Sequence, residues 1–288
     1  MPGLQALTRR IKSVKSTRKV TRAMQMISAA KMRKFQAAAI TSREYAFLAW
    51  DIISELSNNI VIGHPLLQEN PKAQKIGVIV ISTNKGLVGG FNSNLLLKIR
   101  EIEQADVELV KEFVVMGRKA KEAVVRMRKS LIAEFEKTEA KILPEQIYPV
   151  AQMVSESYEK HQYKKVYLVY NQFVSTLVQK PIMKQLLPIV PDQVGKEAHH
   201  SSEFLFEPDP ERVLNNLLPR IIESQIYQAV LESDAAEHSA RMIMMKNATE
   251  SAGDLISDLT LTFNQLRQNK ITTELSEITA GKLALEEK

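Results

Sequence analysis

Between Leu4 and Ile62 there is neither glycine nor proline, and the first acidic residue of the chain is Glu44. Eleven basic side chains precede it: Arg9, Arg10, Lys12, Lys15, Arg18, Lys19, Arg22, Lys31, Arg33, Lys34 and Arg43. A helix covering most of this run would be about 80 Å long at about 1.5 Å per residue, longer than an ordinary domain helix. The other end matches it, because from Arg220 to Lys288 there is no proline and only Gly253 and Gly281 interrupt. Two long helices therefore flank the middle of the chain. One enters that middle and the other leaves it, so they run antiparallel if they pack.

Their apolar spacing supports packing. Leu4, Leu7, Ile11 and Val14 follow a 3-4-3 alternation that draws one stripe on a helix. In the second arm Met245, Ala248, Ala252, Leu255, Leu259 and Leu266 share a register, with Thr262 in the seam. The first arm is expected to break register at Arg18 and restart through Val20, Met24 and Ile27, giving an uneven twist instead of a strict heptad coil. Charge divides along the same lines: the net charge is +6, and without its first 43 residues the chain is acidic, with 28 basic against 33 acidic residues. The surplus positive face is thus local and suits an acidic partner.

Absence of cysteine excludes disulfides and thiolate metal sites and fits a reducing compartment. The amino terminus has no apolar signal core, and no window approaches about 18 consecutive apolar residues, so the chain reads as soluble or peripheral to a membrane. Its basic amphipathic start raises a transit-peptide alternative, but the helical pattern runs on past such a length through Glu44, Asp51 and Glu55.

In the middle the hydrophobic period changes. Residues 75–82 form a β-branched run expected of a strand buried on both faces. A glycine-rich turn (83–92) follows, then a helix over 93–104, a strand over 111–117, a helix over 119–129, a helix over 144–161, a strand over 166–170 and an extended segment over 179–190. Strands alternating with helices predict a Rossmann-like α/β domain with a largely parallel sheet, inserted in a long antiparallel coiled coil of the N- and C-terminal helices. The expected divisions are 1–62 (N-terminal coiled-coil helix), 63–208 (α/β domain) and 209–288 (C-terminal coiled-coil helix). Residues 191–210 read as a surface linker.

Gly86, Gly89 and Gly90, between a strand and a helix, have the layout of a phosphate cradle. They match neither GxGxxG nor a P-loop, and no acidic residue ends the second strand to hold a ribose. A tight structural turn is the expected role. His199 and His200 lack a third metal ligand, and no sequence context selects a nucleophile. Neither a catalytic residue, a cofactor nor a metal is expected. Met24, Met26, Met32, Met242, Met244 and Met245 suit adaptable packing along the helices.

The segments Ile11–Lys34, Ala240–Thr249 and Asn264–Ile278, with the turn Lys85–Asn92, closely resemble the signature regions of the gamma subunit of F-type ATP synthase. The resemblance spans essentially the whole chain. Where that family often carries an acidic-arginine pair and a cysteine in the turn, this chain has Asn84, Lys85 and Val88. What the resemblance implies is a non-catalytic rotor shaft of a proton-translocating ATP synthase, peripheral on the cytoplasmic face of a bacterial inner membrane. Its helices would stand in the alpha3-beta3 hexamer of F1, and its α/β domain would rest on the membrane c-ring and bind the epsilon subunit, with no lipid insertion. By the same resemblance Arg9, Lys12, Lys19, Met24, Arg241, Arg267, Gln268 and Thr272 contact catalytic subunits. The second arm outruns the first by roughly 15 to 20 residues, about 25 Å of helix, leaving Ile271, Leu275 and Ile278 as a tip for a hydrophobic bearing. The competing expectations are a nucleic-acid-binding coiled coil, disfavoured by the lack of interleaved aromatics and the acidic second arm, and a small nucleotide-dependent enzyme.

Overall fold

A computed structural model describes residues 2–59, 64–104, 108–138, 143–190 and 209–286. In chain order the elements are α1 (Pro2–Asn59), β1 (Lys75–Ile81), α2 (Phe91–Gln104), β2 (Val110–Met116), α3 (Arg118–Arg126), β3 (Ser130–Phe135), α4 (Tyr148–Glu159), β4 (Tyr163–Phe173), β5 (Gln179–Leu187) and α5 (Pro210–Glu286). They form two compact units, Met1–Ser28 with Met242–Lys288, and Ala29–Arg241, and both terminal helices contribute to each. The expected linker, with His199 and His200, falls outside the described residues except for its last two positions.

The larger unit is built on a five-stranded sheet in the order β3-β2-β1-β4-β5. β1 pairs in parallel with β2 and β4, β2 with β3, and only β4–β5 is antiparallel. β1 and β2 are buried along six of their seven residues because helices cover both faces. On one face Val78, Val80, Phe113 and Val115 meet Leu95, Ile99 and Ile102 of α2 and Ala120 and Val124 of α3. On the other, Ile79, Ile81, Val114, Leu168 and Tyr170 meet α4, Phe35 and Ala39 of α1, and Leu214 to Ala235 of α5. Full burial of each large apolar side chain contributes about 1.5–3 kcal/mol.

The sequence expectation omitted β3. Its Ser-Leu-Ile-Ala-Glu-Phe run alternates exposed and half-buried positions, as an edge strand does, and follows α3 after only a short turn. The helix expected to reach Lys129 stops at Arg126, and Arg128 adopts φ 53° in the turn. α5 starts at Pro210. Asp209 caps it, its Oδ1 accepting from the Arg212 N–H at 2.8 Å, and Pro210 follows at a position where its missing donor is harmless.

In the smaller unit α1 and α5 run antiparallel. The hydroxyls of Thr21 and Thr249 lie 2.8 Å apart, and the guanidinium of Arg18 lies over Gly253, where an added Cβ would come within 3.4 Å of it. Descending α1 by three residues thus ascends α5 by four. The expected break at Arg18 does not occur: Val20 and Ile27 are 55% and 57% exposed. The 3-4 alternation instead continues unbroken, with Arg18 and Thr21 standing in seam positions and then Gln25 and Ser28. On α5 the seam is also displaced. Met245 and Ala252 are buried, and Thr249, Ile256, Leu259 and Phe263 are half-buried, whereas Leu255, Thr262 and Leu266 face outward. Two adjacent helical phases share Met245, Ala252 and Leu259, and the chain packs on the one carrying the β-branched and aromatic residues.

Candidate functional site

The expected contact residues fall into three settings. Arg9, Lys12 and Lys19 are exposed, together with Arg10, Lys15 and Arg22, and none of them forms an ion pair with a described residue. Met24 is half-buried beside this basic surface. Arg267, Gln268 and Thr272 are exposed, and the Thr272 hydroxyl donates to the Gln268 carbonyl at 3.0 Å. Near them Ile271, Leu275 and Ile278 are 49%, 60% and 69% exposed.

These last residues lie past the reach of α1. The two observed pairings place a residue near Pro2 opposite about position 268, so α5 continues for about 18 further residues, about 27 Å, with no facing helix in this unit. Hydroxyls along that stretch are satisfied by its own turns, as Thr273, Ser276 and Thr279 each donate to the carbonyl four residues before. Its apolar side chains have no such internal solution.

Arg241 departs from the expectation. It is buried, and its guanidinium donates to Glu237 Oε1 at 2.8 Å and to the Gly86 carbonyl at 3.3 Å. Its partners are inside the chain, so it is not a surface contact. It belongs to a stretch, residues 229–241 of α5, in which every residue is buried. Four segments enclose that stretch. Phe35 of α1 stacks on His238 with ring centroids 5.5 Å apart, and Arg43 pairs with Glu232 at 3.0 Å. From β4 and its hairpin, the Tyr170 hydroxyl donates to Glu232 at 3.2 Å, and the Thr176 carbonyl accepts from Ser239 at 2.6 Å. The glycine turn sets Val88 and Phe91 against Ala236 and Ala240. Lys137, just after β3, reaches Asp234 and, at 2.9 Å, Glu237.

This packing decides the role of the glycines. The start of α2 is filled by Phe91 on α5 alanines, and the N–H groups of Phe91 and Asn94 already donate to the carbonyls of Val88 at 3.3 Å and Gly90 at 2.9 Å, so the turn is used structurally. Gly89 alone of the three adopts φ > 0, at 59°, with Leu87 at 64°. Val88, in the family's cysteine position, is core. Asn84 is a bracket: its amide donates to the Lys137 carbonyl at 2.6 Å, and its Oδ1 accepts from the Arg118 N–H at 3.2 Å, capping α3. Behind it Gly117, at φ 99°, lies so close to β1 that an added Cβ would fall 2.5 Å from the Ser82 carbonyl oxygen. A cavity of about 520 Å³ opens at these strand ends, lined by Lys85, Arg118, Glu134 and Glu136 among others. Its mixed charges and already capped helix do not suit a phosphate.

Electrostatics within the enclosed stretch are uneven. Burial opposes the charge on Lys137, but Asp234 and Glu237 outweigh it and hold the ammonium protonated well above its ordinary range. Burial would raise Glu237, yet Lys137 and Arg241 keep its carboxyl below the usual value. For Asp234 burial is the largest influence and Glu237 adds repulsion, and together they prevail over Lys137 and the more weakly acting Lys31 and push it up to about 6. Burial drives His238 down to about 4, leaving a neutral ring whose Nδ1 can accept from Arg241 at 3.4 Å. Lys137, Asp234, Glu237 and Gly117 carried no signal in the sequence, where Lys137 sits in an ordinary charged stretch.

Among the described residues no cluster of three or more His, Asp or Glu is placed to hold a metal ion, and no helix is long and apolar enough to cross a membrane.

The family model for ATP synthase matches residues 3–285. The ATP synthase gamma chain of Pelotomaculum thermopropionicum is 43% identical over 289 residues, covering 99% of this chain and 100% of that one. That of Heliobacterium modesticaldum is 41% identical over 295 residues, covering 99% and 100%. Among solved structures, the rotor of the Euglena gracilis mitochondrial ATP synthase is similar with a TM-score of 0.65 at 17% identity, covering 93% of this chain and 98% of that chain. The central stalk and c-ring of the Tetrahymena thermophila mitochondrial ATP synthase gives 0.60 at 21%, covering 80% and 99%. With relatives this similar from end to end, the chain belongs to the ATP synthase gamma chain family.

Proposed function

We propose that the chain is the central rotor shaft of F1, a non-catalytic subunit that couples proton-driven rotation of a membrane c-ring to ATP synthesis and hydrolysis in an alpha3-beta3 hexamer. Residues 1–62 and 209–288 are then the shaft helices and 63–208 the insert that stands on the c-ring and binds the epsilon subunit. The complex sits peripherally on the cytoplasmic face of the bacterial inner membrane. The observation that carries this function is the overhang of α5, whose Ile271, Leu275 and Ile278 are exposed with no facing helix in their own unit. Exposed apolar stripes of this kind mark a surface that another protein covers, and a hydrophobic bearing at the head of the hexamer is such a cover. Arg267, Gln268 and Thr272, on the same stretch, supply hydrogen bonds to the catalytic subunits. Lower down, Arg9, Lys12 and Lys19 present unpaired positive charge beside Met24, suited to acidic loops of those subunits.

Coupling in such a machine is mechanical. A shaft with different faces biases each catalytic subunit by its orientation, and linkage requires the subunits to bias the shaft in return. Reconstitution tests the assignment. The pure chain should hydrolyse no ATP, and adding it to separately purified alpha and beta subunits should produce a stable complex with ATPase activity well above that of alpha and beta alone. Turnover by the pure chain, or no effect on alpha and beta, would overturn it.

A further inference from the structure

We propose that Lys137 is a positioning residue that locks the glycine turn, and with it the sheet, to residues 229–241 of α5, so that the α/β domain and this stretch of the helix turn as one body. This rests on the rotor function proposed above.

All three protons of the Lys137 ammonium are spent on acceptors from two elements: the Ser82 carbonyl at 3.1 Å, where β1 ends, and Asp234 and Glu237 of α5. Its own carbonyl accepts from Asn84, so both ends of the residue hold the β1–α2 turn. Arg241 repeats the grip one turn of helix along, joining Glu237 to the Gly86 carbonyl. Two cations from opposite sides thus fasten two carbonyls of one turn to a shared carboxylate.

The apolar contacts at the same level are of another kind. Val88 and Phe91 rest on Ala236 and Ala240, methyl groups that offer a smooth surface with little to resist rotation or sliding. A converging set of charged hydrogen bonds resists both, because any displacement breaks several at once in a buried site. Buried ion pairs are often replaceable by apolar residues as far as stability goes, and in some systems their distinct contribution is register. In a rotor, register is what must survive load.

The test uses the complete ATP synthase in membrane vesicles carrying the double variant Lys137→Met with Asp234→Leu, which removes one charge of each sign and leaves Glu237 paired with Arg241. The double variant should assemble and hydrolyse ATP at near the parent rate, while protons pumped per ATP fall severalfold. A parent-like ratio in assembled complexes would overturn the proposal. The chain has no cysteine, so Val88→Cys with Ala236→Cys can be added as a single engineered thiol pair. Oxidation should restore coupling in the double variant, or assembly if that was lost, and reduction should remove it again; a formed crosslink without recovery counts against the lock. If the unmodified chain itself confers no coupled pumping, the rotor function fails instead.

Discussion

Residues 229–241 and 264–280 belong to the same helix and reverse the usual distribution of side chains. The first stretch encloses Glu232, Asp234, Glu237, His238 and Arg241. The second leaves Leu266, Ile271, Leu275 and Ile278 in the open. Charged residues are rarely buried unless paired, and here each has a partner supplied by another segment of this chain. Exposed apolar residues are ordinary when scattered, but a stripe at helical spacing asks for a cover, and no described residue of its own unit faces it. Where the partner resides, inside the chain or outside it, decides the exposure of each stretch better than its composition does.

The sharpest way to break the comparison is to remove one partner inside. Lys137→Met strands Asp234 and leaves Glu237 with Arg241 alone, and urea unfolding of the purified chain should show a loss of about 3–5 kcal/mol. Adding Asp234→Leu should recover most of it, since the remaining Glu237–Arg241 pair is balanced. If the single variant is as stable as the parent, the buried cluster is not held together as described.

Next in size is a pH effect in which two groups oppose each other. His238 falls from 6.5 to about 4 on folding, so the unfolded chain takes its proton first and stability is lost as pH drops through that window, about 3 kcal/mol at ~1.36 kcal/mol per unit. Asp234 rises from 3.8 to about 6, so the folded chain takes that proton first, and stability is gained over nearly the same window by a similar amount. The parent should therefore change little on account of these two between pH 6.5 and 4.5. His238→Phe, which keeps the stack on Phe35, should become more stable on acidification, and Asp234→Asn less stable. Equal pH slopes for all three chains would show that neither group is shifted as stated.

Much of this architecture was legible before any coordinates. The unbroken β-branched run of β1 and the absence of helix breakers at both ends need only local physics to interpret, and the overhang follows from relative helix lengths. β3 was not legible, because an edge strand of six residues with one exposed face resembles any polar connection. Lys137 and Glu237 are 100 residues apart, and nothing local distinguishes a lysine that will be enclosed from one that will be solvated. Resemblance directs Arg241 to a partner subunit, whereas its guanidinium faces Glu237 and the Gly86 carbonyl. The seam on α5 failed for a different reason. Apolar residues occupy two adjacent phases, Leu255 and Leu266 on one and Ile256 and Phe263 on the other, and a single helix cannot say which phase is used within the chain.

That ambiguity has a smaller but clean test. Ile256→Ala removes a half-buried side chain and should lower stability by about 1–2 kcal/mol, below the range for a full core position. Its neighbour Leu255 is outward-facing, so Leu255→Ala should stay within about 0.5 kcal/mol. Reversal of the two would return the seam to the phase first expected.

The smallest expected change in the isolated chain is at the tip. Replacing Ile271, Leu275 and Ile278 together by serine alters helix propensity little, since isoleucine and serine rank close together and leucine only slightly above. No packing within the described structure is lost, so urea unfolding should shift by less than about 1 kcal/mol in total. Truncation after Asn269 should likewise leave the α/β domain folded. In the assembled complex the same triple variant removes whatever burial the proposed bearing provides, about 1.5–3 kcal/mol for each fully covered side chain. Thermal inactivation of the ATPase complex should then come at clearly lower temperature, and torque should fall with it. A triple variant that destabilises the isolated chain as much as the complex would place the partner of these residues inside the chain, and the two stretches of α5 would no longer differ in kind.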